Sequence, residues 1–495
     1  GEEGDLAPTP TPVEEREELR DVSYQVRAAY VAQLGFYDAL GLDLGAGALK
    51  DLFHFSELPQ EARAEALAVS KPAPAHKATV AQTYFTLAKS FVGIGVLAMP
   101  SAFKLAGYIG ATVGLVAVAA VSYACMVLLL HASDTVGELV ARGAIAARPR
   151  LESAPAEGSR ERAGSVDHGH VSFADVGRAA LGPLGASLVN ASLVASQLGF
   201  CTSYLIFVGH NVDVVAREAA GASPGFRVFI VAAAVALLPL VWLRSLRRLA
   251  FSALLADAAI LVGLLTVFAY SFVHWADHTP VKAVSLGTMP LFFGIAVFTF
   301  EGIGLVIPVR AAMAEPSRFP RILRTTIAGL VLLLVATGLI AYIGFGEATE
   351  DIVTLNLPHN PLVASVQLLY SAALVLSYPV MAFPAFQILE ATRWYQRLPR
   401  SARFPQLRRR GLRSGVLALT ALVAATVPHF GLFVSLIGSV ACTLLAFILP
   451  ALFYWQLHTA GLSAMAKAGL GGAAMFGIIG GLLSLILTLK ELVGA

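Results

Sequence analysis

From residue 78 onward, apolar residues run in long blocks separated by short polar stretches, and most blocks are continuous runs of Leu, Val and Ala. About 20 consecutive apolar residues are needed to cross a hydrocarbon layer about 30 Å thick. Eleven blocks are candidates, near 80–104, 108–131, 183–214, 226–243, 249–274, 287–309, 321–346, 361–391, 412–428, 431–457 and 466–491. The pattern predicts an all-α integral membrane protein. Residues 1–77 carry no such block. Their first 20 have the Pro and Glu content of a disordered segment, and 22–68 show enough apolar periodicity for short amphipathic helices.

Two blocks are interrupted in the same way. The first span contains "FVGIGVLAMP" from Phe91, and the sixth contains "FEGIGLVIP" from Phe300. Each Gly inside a helix costs about 1 kcal/mol against Ala, so Gly-Ile-Gly followed by Pro100 or Pro308 marks a helix prone to unwind. Unwound backbone survives within a bilayer only where it lines a protein-enclosed cavity, and a bound polar solute can supply the missing hydrogen-bond partners. Counting from the repeated phrase, spans 1–5 (78–274) and 6–10 (287–457) form two five-helix units, with an eleventh helix in 458–495. Because five is odd, the second unit enters from the opposite side, and the repeat is inverted.

Composition agrees with this reading. The 495 residues are 57% hydrophobic and 14% charged, against about a quarter charged in soluble domains. The arginines crowd alternate loops: Arg142 to Arg162, Arg244 to Arg248, Arg310 to Arg324, and Arg393 to Arg410. By the positive-inside rule the N-terminus is cytosolic, and the tail and the long loop 133–175 are available to a cytosolic partner. No cleavable signal peptide is expected ahead of the first span. Cys125, Cys201 and Cys442 fall inside predicted spans, and "DHGH" at 167–170 lacks further ligands, so no metal or other cofactor is expected. H-E-x-x-H does not occur, and G-x-S-x-G occurs only as "GASPG" at 221–225, in the short polar stretch between the third and fourth apolar blocks rather than on a strand-to-helix turn, so no enzyme is expected. Nothing suggests a nucleic-acid partner.

Three ionisable residues fall inside spans: Lys89, four before Gly93; Glu301, immediately before Gly302; and Asp257. At a helix centre each costs about 2.5–3.5 kcal/mol, so each is expected to face a partner or water. Lys89 and Glu301 are placed to form an ion pair beside the two breaks. Glu301 and Asp257 are also candidate proton carriers, because a charged carboxylate is costly in low-dielectric surroundings. The half-helix beginning at Gly93, Ile94 and Gly95 offers free N–H groups and a positive dipole end to a carboxylate. Carbonyls freed around Phe298, Thr299 and Phe300, beside Gly302, suit an ammonium. Together these are the two ends of a zwitterionic amino acid. Gln197 and Tyr204 in the third span, and Ser377 and Tyr378 in the eighth, either line the same pocket or tie helices together.

Four stretches carry a family resemblance: "QTYFTLAKSFVGIGVLAMPSAFKLAG" (82–107), "SQLGFCTSYLIFVGHNV" (196–212), "FFGIAVFTFEGIGLVIP" (292–308) with "EPSRFPRIL" (315–323), and "LSYPVMAFPAFQILE" (376–390). The chain resembles the amino acid/auxin permease family, nearest to its vacuolar exporters and proton-coupled transporters. That resemblance implies a LeuT-like 5+5 inverted repeat with discontinuous helices 1 and 6, amino acid substrates, and a site at Gly93, Ile94, Gly95, Phe300, Glu301 and Gly302. Thr86 stands where the plasma-membrane branch has a histidine, which tilts the resemblance toward the vacuolar or lysosome-like membrane over the plasma membrane. Arg310 stands where the family tends to have an acidic residue.

The expected function is secondary active transport of small neutral amino acids by alternating access, with proton coupling favoured over sodium. A non-transporting amino acid sensor signalling through the cytosolic tail is the reading from a different class.

Overall fold

The computed structural model describes residues 77–142, 171–243, 250–274, 280–358, 360–397, 406–427, 429–459 and 461–494, the side chains of 250–257 and 274 excepted. The amphipathic helices expected in 22–68, the "DHGH" motif, and the side chain of Asp257 therefore lie outside the described residues. The chain divides into two compact units, residues 1–83 with 312–315, and residues 84–311 with 316–495. In the first, Ala78 and Met313 form a parallel β-bridge. The Ala78 N–H donates to the Ala312 carbonyl at 2.8 Å, and the Ala314 N–H to the Ala78 carbonyl at 3.0 Å.

The second unit is helical. Spans 1 and 2 give α1 (Val80–Phe91), α2 (Gly95–Ala106) and α3 (Tyr108–Ala141), and span 3 gives α4 (Phe173–Ala220). Spans 4 and 5 give α5 (Phe226–Val241) and α6 (Ala250–His274), and span 6 gives α7 (Met289–Thr299) and α8 (Ile303–Ala312). Then follow α9 (Phe319–Phe345), α10 (Pro361–Glu390), the short α11 (Arg393–Arg397), α12 (Leu407–Thr426), α13 (Phe430–Ile437), α14 (Leu449–His458) and α15 (Ala464–Gly494). Every expected block is helical. Among the described residues, seven helices are long and apolar enough to cross a membrane, or eight with α1 and α2 taken as one bent span. α5 and the apolar part of α6 are shorter, and α12 opens with the charged "LRRRGLR".

Two helices outrun their apolar blocks. α3 continues through polar residues to Ala141, which shortens the loop expected over 133–175. α4 begins ten residues before its block because Ser172 and Asp175 form a reciprocal cap, the Asp175 N–H donating to the Ser172 hydroxyl and the Ser172 N–H to the Asp175 carboxylate. The helix kinks where the block begins. Gly182 there has φ +65° and Pro183 offers no N–H.

Small residues let the spans approach closely, as expected where van der Waals packing and hydrogen bonds drive association. A Cβ on Gly438 would collide with the Gly294 carbonyl, and one on Gly338 with the Phe103 ring. The Ser435 hydroxyl donates to the Leu291 carbonyl at 3.2 Å and meets Ser484 at 3.2 Å and Thr488 at 3.0 Å, tying α13 to α7 and α15 through buried hydroxyls.

At one end of the unit, the α2–α3 turn is stitched to the segment before α7. Tyr108 N–H donates to the Lys282 carbonyl, Ile109 N–H to the Ala283 carbonyl, and Ser285 N–H to the Ala106 carbonyl. Gly107 is required in that turn. Its φ is +78°, and a Cβ there would lie 2.6 Å from the Ala283 backbone. The acidic loop after α9 closes over this end. Lys282 reaches the Glu347 carboxylate at 3.0 Å, Tyr342 donates to it at 2.9 Å, and Lys104 donates to the Thr349 carbonyl at 3.0 Å. Asp351 accepts the Gly431 N–H at 3.0 Å, at the start of α13.

Burial alone would raise the pKa of Glu347, but hydrogen bonds from Lys282 and Tyr342 and the charges of Lys282 and Lys104 outweigh it and hold the carboxyl below its usual range. A carboxyl lowered on folding adds stability above its unfolded value, and that stability is lost as pH falls through the folded one. Thermal unfolding of wild type should therefore fall toward that of Glu347→Gln on acidification through the carboxylate range, the two differing at neutral pH. Parallel pH profiles for the two proteins would contradict the linkage.

Candidate functional site

The Gly-Ile-Gly phrases mark interruptions in both spans. After the Val92 N–H closes on Ala88, hydrogen bonding resumes only with Val96 to Gly93 and Leu97 to Ile94. Among the described residues no acceptor serves the N–H groups of Gly93, Ile94 or Gly95. In the second phrase Phe300 N–H bonds Ala296, Glu301 N–H bonds Phe298, and the next bond is Leu305 to Gly302. Gly302, Ile303 and Gly304 likewise show no acceptor among the described residues. The two breaks differ in shape. α1 and α2 meet at 54°, whereas Met289–Ala312 runs on as one 24-residue span.

The breaks lie against each other. A Cβ at Gly95 would sit 2.6 Å from the Thr299 hydroxyl oxygen, and one at Gly302 would run into the ring of Phe91. Each phrase thus supplies a glycine that accommodates a side chain standing at the edge of the other. Gly93 differs, since a Cβ there would meet nothing within 4 Å. The backbone at Gly93 borders open space beside its free N–H groups.

The structure distributes the predicted residues unevenly. Ile94, Phe298, Thr299 and Phe300 are buried at the breaks. The Thr299 hydroxyl donates to the Ile295 carbonyl, and the Phe298 carbonyl accepts Glu301 N–H, while the carbonyls of Thr299 and Phe300 accept no hydrogen bond among the described residues. On α4, Leu193 approaches Gly304 and the Phe200 ring packs at a tilt of 41° against Phe298 with centroids 4.3 Å apart. Gln197 and Tyr204 share that helical stripe with Leu193 and Phe200, spaced by three or four residues, so the stripe presents Gln197 toward the second break.

Tyr378 is committed elsewhere. Its hydroxyl hydrogen-bonds Thr420 on α12 at 2.7 Å, and its carbonyl accepts the Cys201 thiol, so it ties helices together. Ser377, its half-buried neighbour, occupies the same turn of α10.

Glu301 is 8% exposed, and its Oε1 has no hydrogen-bond partner among the described residues. The ion pair expected with Lys89 is not among those of the described residues. Lys89 is exposed at the end of α1, while Glu301 points into protein near Cys442. Closeness in sequence to the two glycine phrases, four residues for Lys89 and one for Glu301, does not put side chains on facing surfaces when one break bends and the other does not. Arg310 finds a carboxylate instead, donating to Asp134 on α3 at 2.7 Å.

The sequence reading missed Phe91 and Phe200, which look like ordinary apolar span residues. Their signal was indirect, in the glycines of the opposite phrase and in the i, i+7 spacing of Leu193 and Phe200. The π-helical segments Gly438–Cys442 and Leu444–Ile448 beside α7 carried no sequence signal.

Two outcomes follow from this geometry. Overpacking typically costs about 1–3 kcal/mol, so Gly302→Ala should reduce function of the site by about tenfold or more, and adding Phe91→Ala should restore part of it. Failure of the second change to help would break the proposed contact. Lys89→Ala and Glu301→Gln should act independently, with fold losses multiplying to within about twofold in the double variant. A double variant no worse than the poorer single variant would restore the ion pair.

Comparisons with known proteins place this geometry in context. The model for "Transmembrane amino acid transporter protein" matches residues 76–144 and 157–492. Vacuolar amino acid transporter 3 of Saccharomyces cerevisiae is 32% identical over 397 residues, covering 77% of this chain and 52% of its own length. The vacuolar amino acid transporter 3 of Schizosaccharomyces pombe is 30% identical, with 75% and 52% covered. The chain thus spans about half the length of these two relatives. Amino acid transporter AVT3C of Arabidopsis thaliana is 31% identical over 417 residues, covering 80% of this chain and 87% of its own. Among solved structures, MhsT in complex with L-phenylalanine aligns with a TM-score of 0.45 and 14% identity, over 82% of this chain and 97% of that one.

Proposed function

The chain belongs to the transmembrane amino acid transporter family, and we propose that it carries small neutral amino acids across a membrane by alternating access, coupled to protons. The observation behind this reading is the pair of interrupted helices packed glycine to side chain, with unpaired N–H groups next to open space at Gly93. Free N–H groups at a helix start suit a carboxylate. The carbonyls of Thr299 and Phe300 suit the ammonium of the same molecule, and Gln197 adds a neutral hydrogen-bonding group. Among the described residues no charged side chain other than Glu301 is buried at the breaks, which favours a neutral substrate side chain.

Glu301 carries the coupling proton in this reading. It is buried with a free carboxyl oxygen next to Gly302, at the start of α8, so its protonation state and the hydrogen bonding of the second break change together. Asp257 remains the alternative carrier. Two five-helix repeats, 78–274 and 287–457, rock against each other about the breaks. The vacuolar names of the fungal relatives and the absence of the first-span histidine support a vacuolar membrane, and the arginine distribution supports a cytosolic N-terminus.

Flux in proteoliposomes holding the purified full chain tests this directly. Uptake of a small neutral amino acid should be driven by an inward pH gradient without sodium and should be lost in Glu301→Gln. Uptake driven by a sodium gradient alone would transfer the coupling role from protons to sodium. Amino acid binding without flux in either gradient would overturn transport and leave a sensor.

A further inference from the structure

Between the end of α10 and the first turns of α12, the described residues hold six arginines, Arg393, Arg397, Arg408, Arg409, Arg410 and Arg413, against a single carboxylate, Glu390. Two other arginines of the Arg-rich loops each have a carboxylate of their own, Arg142 with Glu138 and Arg310 with Asp134. Here Glu390 is shared, accepting from Arg413 Nε at 2.8 Å and from Arg409 Nε at 3.3 Å.

The guanidiniums are also held in place. Arg408 lies over the Tyr395 ring at 4.2 Å and donates to the Tyr395 carbonyl at 3.1 Å. Arg410 lies over Trp242 at 5.3 Å, and Arg413 over Phe386 at 4.9 Å. Arg413 is 1% exposed. Its Nη1 serves the Val241 and Leu243 carbonyls, yet its Nη2 is buried with no hydrogen-bond partner among the described residues. A buried donor on a cation without an acceptor is costly, and the neighbouring Arg409 repels it. Trp394, 56% exposed, and Leu407, 63% exposed, flank the cluster as interfacial anchors do.

A general bias of positive charge toward one side of a membrane requires arginines in loops, but not arginines stacked on rings around one shared carboxylate. We infer that this cluster at the junction of α10, α11 and α12 binds a phospholipid headgroup bearing more than one phosphate. Arginine's planar fork pairs bidentately with phosphate oxygens, and stacking on an aromatic face leaves the N–H edges available. A headgroup with several phosphates offers enough acceptors and charge for Arg409 and Arg410 together, and the adjoining acyl chains lie in the bilayer that α10 has just left.

The full chain in nanodiscs of phosphatidylcholine alone, with phosphatidylinositol bisphosphate, or with phosphatidylserine at matched charge tests the assignment. The readout is lipid retained after extraction into detergent, measured by native mass spectrometry, with inositol polyphosphate as a soluble competitor. The bisphosphate lipid should be retained over phosphatidylserine. Arg409→Gln with Arg410→Gln should weaken retention about thirtyfold, given roughly fivefold for each arginine near a charged surface, while Arg142→Gln leaves it unchanged. Equal retention of phosphatidylserine, or no effect of the double variant in a protein that still folds, would overturn the site. Soluble inositol polyphosphate binding as tightly as the lipid would assign the cluster to a free phosphate ligand and also overturn it.

Discussion

The constraint on which the rest depends is that backbone polar groups within a bilayer have no water to turn to. A helix satisfies them by itself, and this chain gives that up at two places where its neighbours must compensate. The two interruptions press together, with Gly95 under Thr299 and Gly302 under Phe91, so lipid is kept from both. The absent Cβ at each glycine allows that approach, and of the four glycines in the two phrases only Gly93 faces open space. In the function we propose, the energetically costly backbone and the binding surface are the same atoms.

The surroundings of the breaks follow from holding them in register. Gly294 and Gly438 bring α7 and the π-helical segment after α13 into backbone contact, and buried Ser435, Ser484 and Thr488 bond across that junction. The acidic loop after α9 and the lysines Lys104 and Lys282 close one end, while Arg310 and Asp134 bind α8 to α3 at the other. Glu301 stands between these ends as a buried carboxyl whose Oε1 has no hydrogen-bond partner among the described residues.

Much of this was legible because hydrophobic length and glycine placement are one-dimensional signals. The blocks gave the helices, and the repeated phrase marked both interruptions without reference to any neighbour. The misreadings concern direction in three dimensions. Lys89 and Glu301 stand near matching glycines, yet only the first break bends by 54°, and their side chains part. Tyr378 reads as a polar group in an apolar helix, which is true of pocket residues and of helix ties alike, and its bond to Thr420 makes it a tie. Phe91 and Phe200 were invisible because an aromatic residue in a span is unremarkable until the glycine or ring opposite is known. The long α3 and α4 exceed their apolar blocks because capping and polar turns extend a helix where hydropathy gives no signal.

The central claim is that the two interruptions form one site whose free N–H groups are satisfied by the bound molecule. Hydrogen–deuterium exchange on the full chain in nanodiscs, with and without a small neutral amino acid, reads those groups directly. The account predicts slowed exchange at Gly93, Ile94 and Gly95 on ligand addition, with smaller changes around Gly302 to Gly304. Binding that leaves exchange at both phrases unchanged would place the ligand elsewhere and contradict it.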